Sequence, residues 1–178
     1  MIPPTDEIID VHRCSSQEDN EFLMECTKSE EFNKFIGTNL NFLGKDCYIL
    51  TQNDKYIGFF SMDIDKSLGI SICKPDIYIS NRIYSLHALF KVVSYIFNNS
   101  DTHKITILVY SNNGRFISVL KKLSIHCEGI LECNHLFENE PLDVHLFSIL
   151  KSEIKNLSFL VNKRFSKVLA RISKDDTV

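Results

Sequence analysis

Residues 104–150, KITILVYSNNGRFISVLKKLSIHCEGILECNHLFENEPLDVHLFSIL, are the stretch on which the fold turns. Ile105–Val109 is a short β-branched run, as in a buried strand. Phe116, Val119, Leu120 and Leu123 then stand at i, i+3, i+4 and i+7, which predicts an amphipathic helix. Ile125–Leu131 and Val144–Leu150 read as two strands joined by a polar loop around Glu138-Asn139-Glu140-Pro141.

Upstream, residues 84–98 place Leu86, Leu89, Phe90, Val93 and Phe97 along one helical stripe. Before that comes an apolar run, Leu68 to Ile79, interrupted by Lys74-Pro75. Proline cannot donate to a strand ladder, so the run predicts a strand with a bulge. Cys47–Leu50 and Tyr56–Met62, separated by Thr51-Gln52-Asn53-Asp54-Lys55, predict a β-hairpin. Ile8 to Arg13 alternates as a half-buried strand does, and Ser15 or Ser16 can cap a helix running to about Cys26. Ser29 through Ile36 reads as a second short helix. The resulting order, β-α-α-β-β-β-α-β-α-β-β-α, calls for a mostly antiparallel sheet that admits one strand–helix–strand crossover.

The chain's 178 residues, 44% of them apolar, suit one compact domain. Its net charge of −3 exerts no global pull on nucleic acid, but the charge is unevenly spread. Residues 1–31 carry nine acidic side chains against Arg13 and Lys28, whereas 155–174 carry six basic residues and no acid. The division expected is a domain over 1–153 followed by a basic amphipathic helix over 154–178, packed on the domain or at an interface. Six cysteines without a C-x-x-C pair, no apolar run of membrane-spanning length and no signal-peptide pattern lead to the expectation of a reduced, cytoplasmic setting.

The element order, together with Asn113, Leu120, Leu123-Ser124-Ile125, Glu128-Gly129, Asp143 and the apolar strand from His145 to Leu150, resembles the GCN5-related N-acetyltransferase (GNAT) superfamily. The branch that acetylates ribosomal-protein N-termini looks nearest. The resemblance implies an α/β (α+β) domain, a mixed, mostly antiparallel sheet with a bulged, splayed central strand and flanking helices. It also implies acetyl-CoA as co-substrate, between Leu68–Ile79 and Ile105–Val109, and no metal. The phosphate loop implied is Arg82-Ile83-Tyr84-Ser85-Leu86-His87, in which Arg82 matches the family pattern while Ser85 and His87 replace small residues. Asn113 is expected either to position the pantetheine arm or to cap a helix. Leu120 occupies the place of a tyrosine that serves many relatives as general acid.

Acetyl transfer needs a base near the amine, and Asp63, Glu128 and His145 are the candidates. Each has a plainer role open to it: a turn cap, a solvated strand residue and a histidine satisfied on a sheet face. His126-Cys127, Cys133 and His135 contain soft ligands at a spacing that fits no common zinc pattern. No P-loop, nucleophile elbow or G-x-G-x-x-G is present. The readings left open are an N-acetyltransferase acting on a protein, peptide or small amine, and a fold that has lost its cofactor and binds protein or nucleic acid. The 155–174 helix is a candidate surface for a homodimer or another partner.

Overall fold

The computed structural model describes residues 9–35, 46–67, 69–80 and 85–175. Nine strands and five helices follow one another as β1 (Asp10–Arg13), α1 (Gln17–Lys28), α2 (Glu30–Phe35), β2 (Asp46–Gln52), β3 (Lys55–Met62), β4 (Ile64–Asp65), β5 (Ile72–Cys73), β6 (Asp76–Ile79), α3 (Ser85–Asn99), β7 (Lys104–Tyr110), α4 (Gly114–Lys122), β8 (His126–Phe137), β9 (Glu140–Leu150) and α5 (Ile154–Asp175). The strands form two sheets, ordered β1-β2-β3-β6 and β4-β5-β7-β9-β8. All pairings are antiparallel except β5 with β7.

The run expected as one bulged strand from Leu68 is two short strands. β5 belongs to the second sheet, β6 to the first, and Lys74-Pro75 is the passage between them. Proline removes the N–H that would continue the ladder, so the backbone is released to a new partner. The break is pinned by the Lys74 N–H, which donates to the Asp63 carbonyl at 2.8 Å. Beyond it β6 lies so close to β3 that a Cβ at Gly58 would strike the Tyr78 carbonyl, a position only glycine fills without displacement. The strand start also differs from expectation. Ile64–Asp65 pairs with Ile72–Cys73, so the chain doubles back through a short ladder before the break.

Two other boundaries shift. Asn53-Asp54 and Glu138-Asn139 each place two residues at positive φ, the geometry of tight two-residue hairpins. Both hairpins are therefore longer in strand and shorter in loop than polarity alone implies. Pro141 sits within β9, opposite Leu136 and beyond the last β7 pair, Tyr110 with Val144. Register shifts between Cys127 and Gly129 and between Leu131 and His135 hid the full length of β8, because each bulge resets the apolar alternation.

Helix α1 is capped by Ser16, whose hydroxyl accepts from the Asp19 N–H while Asp19 accepts from the Ser15 and Ser16 N–H groups. Leu23, Cys26 and Phe32 from α1 and α2 pack on Ile49 and Phe59. The opposite face of the same sheet, with Leu50 and Phe60, meets α3. That core continues under Ile105, Ile107 and Phe147 of the second sheet and takes in Ile117 and Leu120 of α4 and Leu157 and Val161 of α5. Helix α3 lies between sheet and α5, which is why Ala88, Leu89, Val92, Val93 and Ile96 are all buried rather than one narrow stripe. No described helix is long and apolar enough to cross a membrane.

Candidate functional site: a wedge between two strands

Among the described residues the β5–β7 ladder consists of the pairs Ile72 with Lys104 and Cys73 with Ile105. Past Pro75, β6 leaves with β3 while β7 continues beside β9, and no ladder joins β6 to β7 among the described residues. Two extended backbones thus diverge from a common point, their edges turned toward one another. Such edges carry N–H and C=O groups spaced to bond an extended chain inserted between them.

The mouth of the wedge lies toward α3. Ser85 is the first residue of that helix and is half-exposed, Leu86 is partly buried against the core, and His87 is 1% exposed. Arg82, Ile83 and Tyr84 lie outside the described residues. The first turn of α3 carries no acidic residue, so the positive end of its dipole is not cancelled locally. Burial pushes the His87 imidazole down to about 4, and the ring therefore enters the interior uncharged.

The structure separates the residues expected from sequence. Asn113 caps α4, its Oδ1 accepting from the Phe116 N–H at 3.2 Å, so the capping role is the one observed. Glu128 stands in the β8 bulge between Cys127 and Gly129, level with Ile107 and Leu108 in the middle of β7, and its side chain turns to Lys104 at the start of that strand. Lys104 Nζ reaches its two oxygens at 2.6 and 2.8 Å and, with Ser148, holds the carboxyl below its usual range. Asp63 is exposed, and its carbonyl serves the strand break. His145 pairs with Val109 and shares a face with Phe147, at a ring separation of 6.3 Å, turned toward the core. Its Nδ1 is enclosed with no hydrogen-bond partner among the described residues. The three candidate bases thus stand in three different settings.

What does converge on the wedge was not singled out from sequence. Asp76 opens β6 and receives the Ser61 hydroxyl at 3.0 Å. Tyr110 closes β7. Burial first, and then the Asp76 carboxylate, raise its phenol above the ordinary value, which places the two groups within electrostatic reach. The Tyr110 ring lies parallel to His135, with centroids 4.1 Å apart and planes 11° from parallel. That stack spans β9, and the β8 bulge makes it possible. Cys133 sits at φ 49° and its N–H is held by Asp143 Oδ1 at 3.0 Å, which re-aims the following residues. No local pattern could have disclosed this set, since it joins three strands distant in sequence. Among the described residues no three His, Cys, Asp or Glu are grouped to hold a metal ion.

No family model matches the sequence, and neither does any curated protein. Solved structures do match. A spermidine N-acetyltransferase from Vibrio cholerae, in complex with CoA and spermine, superposes with a TM-score of 0.69 at 13% identity, over 82% of this chain and 97% of that one. A GCN5-related N-acetyltransferase from Brucella melitensis gives 0.69 at 15% identity, over 89% and 83% of the two chains. An aminoglycoside N(6')-acetyltransferase from Legionella pneumophila gives 0.66 at 15%, over 83% and 94%. These likenesses establish the GNAT fold that the element order implied. They do not single out the ribosomal-protein branch.

Proposed function

We propose that this protein is an N-acetyltransferase that holds acetyl-CoA in the wedge between β6 and β7. The observation that carries the reading is the strand break at Pro75. A continuous ladder from β5 onward would have closed the space, whereas here two strand edges face each other across it. The amides of an extended pantetheine arm can bond such edges as a further strand would. Its pyrophosphate would reach the first turn of α3, where backbone N–H groups and the absence of acid favour an anion. In one relative of the same fold, the Vibrio spermidine enzyme, CoA is present as named.

The transfer itself asks the protein mainly for alignment. A neutral amine attacks the thioester carbon while a backbone N–H polarises the carbonyl oxygen. Asp76 and Tyr110 share a face of the wedge with Tyr78, which packs under α1 and α2, and that face is the approach for the acceptor. The hairpin that borders it, residues 126–150, carries five carboxylates and no lysine or arginine. This charge favours an acceptor amine borne on a cationic molecule or segment.

His87 supports a second reading. Its buried ring stands in the first turn of α3, where a small residue would leave more room for a phosphate, and a non-catalytic binding module would have no need of that room. In that case exposed Lys155 and Lys163 of α5 supply a contact surface. One measurement separates the two. Thermal unfolding with millimolar acetyl-CoA should show a raised Tm, since a ligand confined to the folded state stabilises it. An unmoved Tm in the folded protein would overturn the enzymatic reading and leave the binding module.

A further inference from the structure

Helix α4 has no tyrosine to protonate a departing thiolate. Its apolar face packs Phe116, Ile117, Val119, Leu120 and Leu123 on the core, and Leu120, at the position where the resemblance places a tyrosine in many relatives, is wholly buried. A thioester cleaved in the wedge would therefore leave a sulfur anion in a partly dry site, which is costly unless a donor faces it.

We propose that Tyr110 is the catalytic residue that supplies this proton, from the end of β7 in place of α4, with Asp76 opposite it receiving the proton that the amine gives up. The assignment rests on the acetyl-CoA reading above and adds a role to it. Three features place the hydroxyl. Tyr110 is the last residue of β7, on the strand edge that borders the wedge. Asp76 is the first residue of β6 on the facing edge, oriented by Ser61. His135, delivered by the β8 bulge, covers the phenol ring from behind at 4.1 Å and restricts its rotation. The raised affinity of the phenol for its proton keeps it in the donor form at neutral pH.

The step balances. The amine nitrogen bonds to the thioester carbon, and the C–S bond breaks with its electron pair passing to sulfur. Tyr110 protonates that sulfur, and Asp76 takes the proton released from nitrogen. The proton on Asp76 then returns to the tyrosinate across the gap, restoring both groups and leaving an amide and the free thiol of coenzyme A. His135 touches no reacting atom and is a positioning residue.

A hydrogen bond from Tyr110 to sulfur must stabilise the thiolate of bound coenzyme A. Its presence can be read without knowing the acceptor, from the pH dependence of coenzyme A affinity in calorimetry. Tyr110→Phe keeps the ring and its stack, and should raise the thiol pKa of bound coenzyme A by about one unit relative to the unsubstituted protein. Acetyl-CoA, which has no thiol, should bind both proteins equally. His135→Ala should reproduce part of the shift, and His135→Phe, which can still stack, should restore the original value. Identical thiol pKa values in the unsubstituted protein and Tyr110→Phe would overturn the role of Tyr110 while leaving acetyl-CoA binding intact. Binding of neither coenzyme A nor acetyl-CoA would instead remove the acetyltransferase reading, and this role with it.

Discussion

In the sheet β1-β2-β3-β6, Ile49 and Phe59 lie under α1 and α2 while Leu50 and Phe60 lie under α3, and all four are sealed from water. In the sheet β4-β5-β7-β9-β8 one face, bearing Ile105, Ile107 and Phe147, is sealed in the same way. Its other face leaves Leu108 52% and Leu131 44% exposed, and carries the Tyr110–His135 stack. The first sheet is a stability element covered on two sides. The second gives up half of that burial and in return presents a strand face, next to the wedge, that another molecule can reach. A difference of that kind is expected where a site is built on a rigid support.

The sharpest test of this contrast is Phe60→Ala. Emptying a site with no exposure on the doubly covered sheet should cost about 3–5 kcal/mol in denaturant unfolding. A loss below about 1 kcal/mol would show that the first sheet is not the stability element.

His87 sharpens the comparison at the seam between the sheets and α3. Its folded pKa, about 4, lies below the unfolded value near 6.5. Below about pH 6.5 the unfolded chain therefore binds a proton that the folded one refuses, so stability falls as pH drops toward 4 and is unaffected above 7. The loss amounts to about 3 kcal/mol across that interval. Comparing unfolding midpoints of the native protein and His87→Leu at pH values across it should show this component missing in the variant.

Asp19, on the covered side of the first sheet, also loses stability as pH falls, but because its charged form is the one favoured by folding. Burial alone would raise its carboxyl, but bonds from His12, the Ser15 and Ser16 N–H groups and the Ser16 hydroxyl outweigh that and hold it well below the usual carboxylate range. It contributes stability above the unfolded carboxylate pKa, and that contribution is lost as pH falls through the folded value. Asp19→Asn should cost about 2 kcal/mol at neutral pH and flatten the acid limb of a stability profile. An acid limb unchanged by the substitution would contradict the capping network.

The smallest effect belongs to the bare face. Leu108→Ser should change unfolding free energy by no more than about 0.5 kcal/mol. A cost comparable to that of Phe60→Ala would mean that the face is covered after all.

Much of this architecture was legible because its causes are local. Pro75 cannot bond as a strand residue must, so the interruption of the Leu68–Ile79 run was readable, although its outcome, one half of the strand in each sheet, was not. The spacing of Leu120 and Leu123 announced α4, and Ser16 announced α1. Hairpin lengths were misjudged where the cause is a backbone angle rather than a composition, as at Glu138-Asn139 and Cys133. The surroundings of the candidate bases were hidden for a related reason. Glu128 and His145 belong to the hairpin that carries the family resemblance, but the β8 bulge turned the first toward Lys104 and register put the second on the core face. Asp76, Tyr110 and His135 carry no mutual signal along the chain, since 25 residues separate the last two and 34 the first two.

Period, proline and capping chemistry act over a few neighbouring residues, and from them follow the order of the helices and of the longer strands and the interruption at Pro75. Which side chains meet across the wedge depended on register, bulge and strand divergence. Those are properties of pairings between distant segments, and they acquire a value only when the whole core has closed.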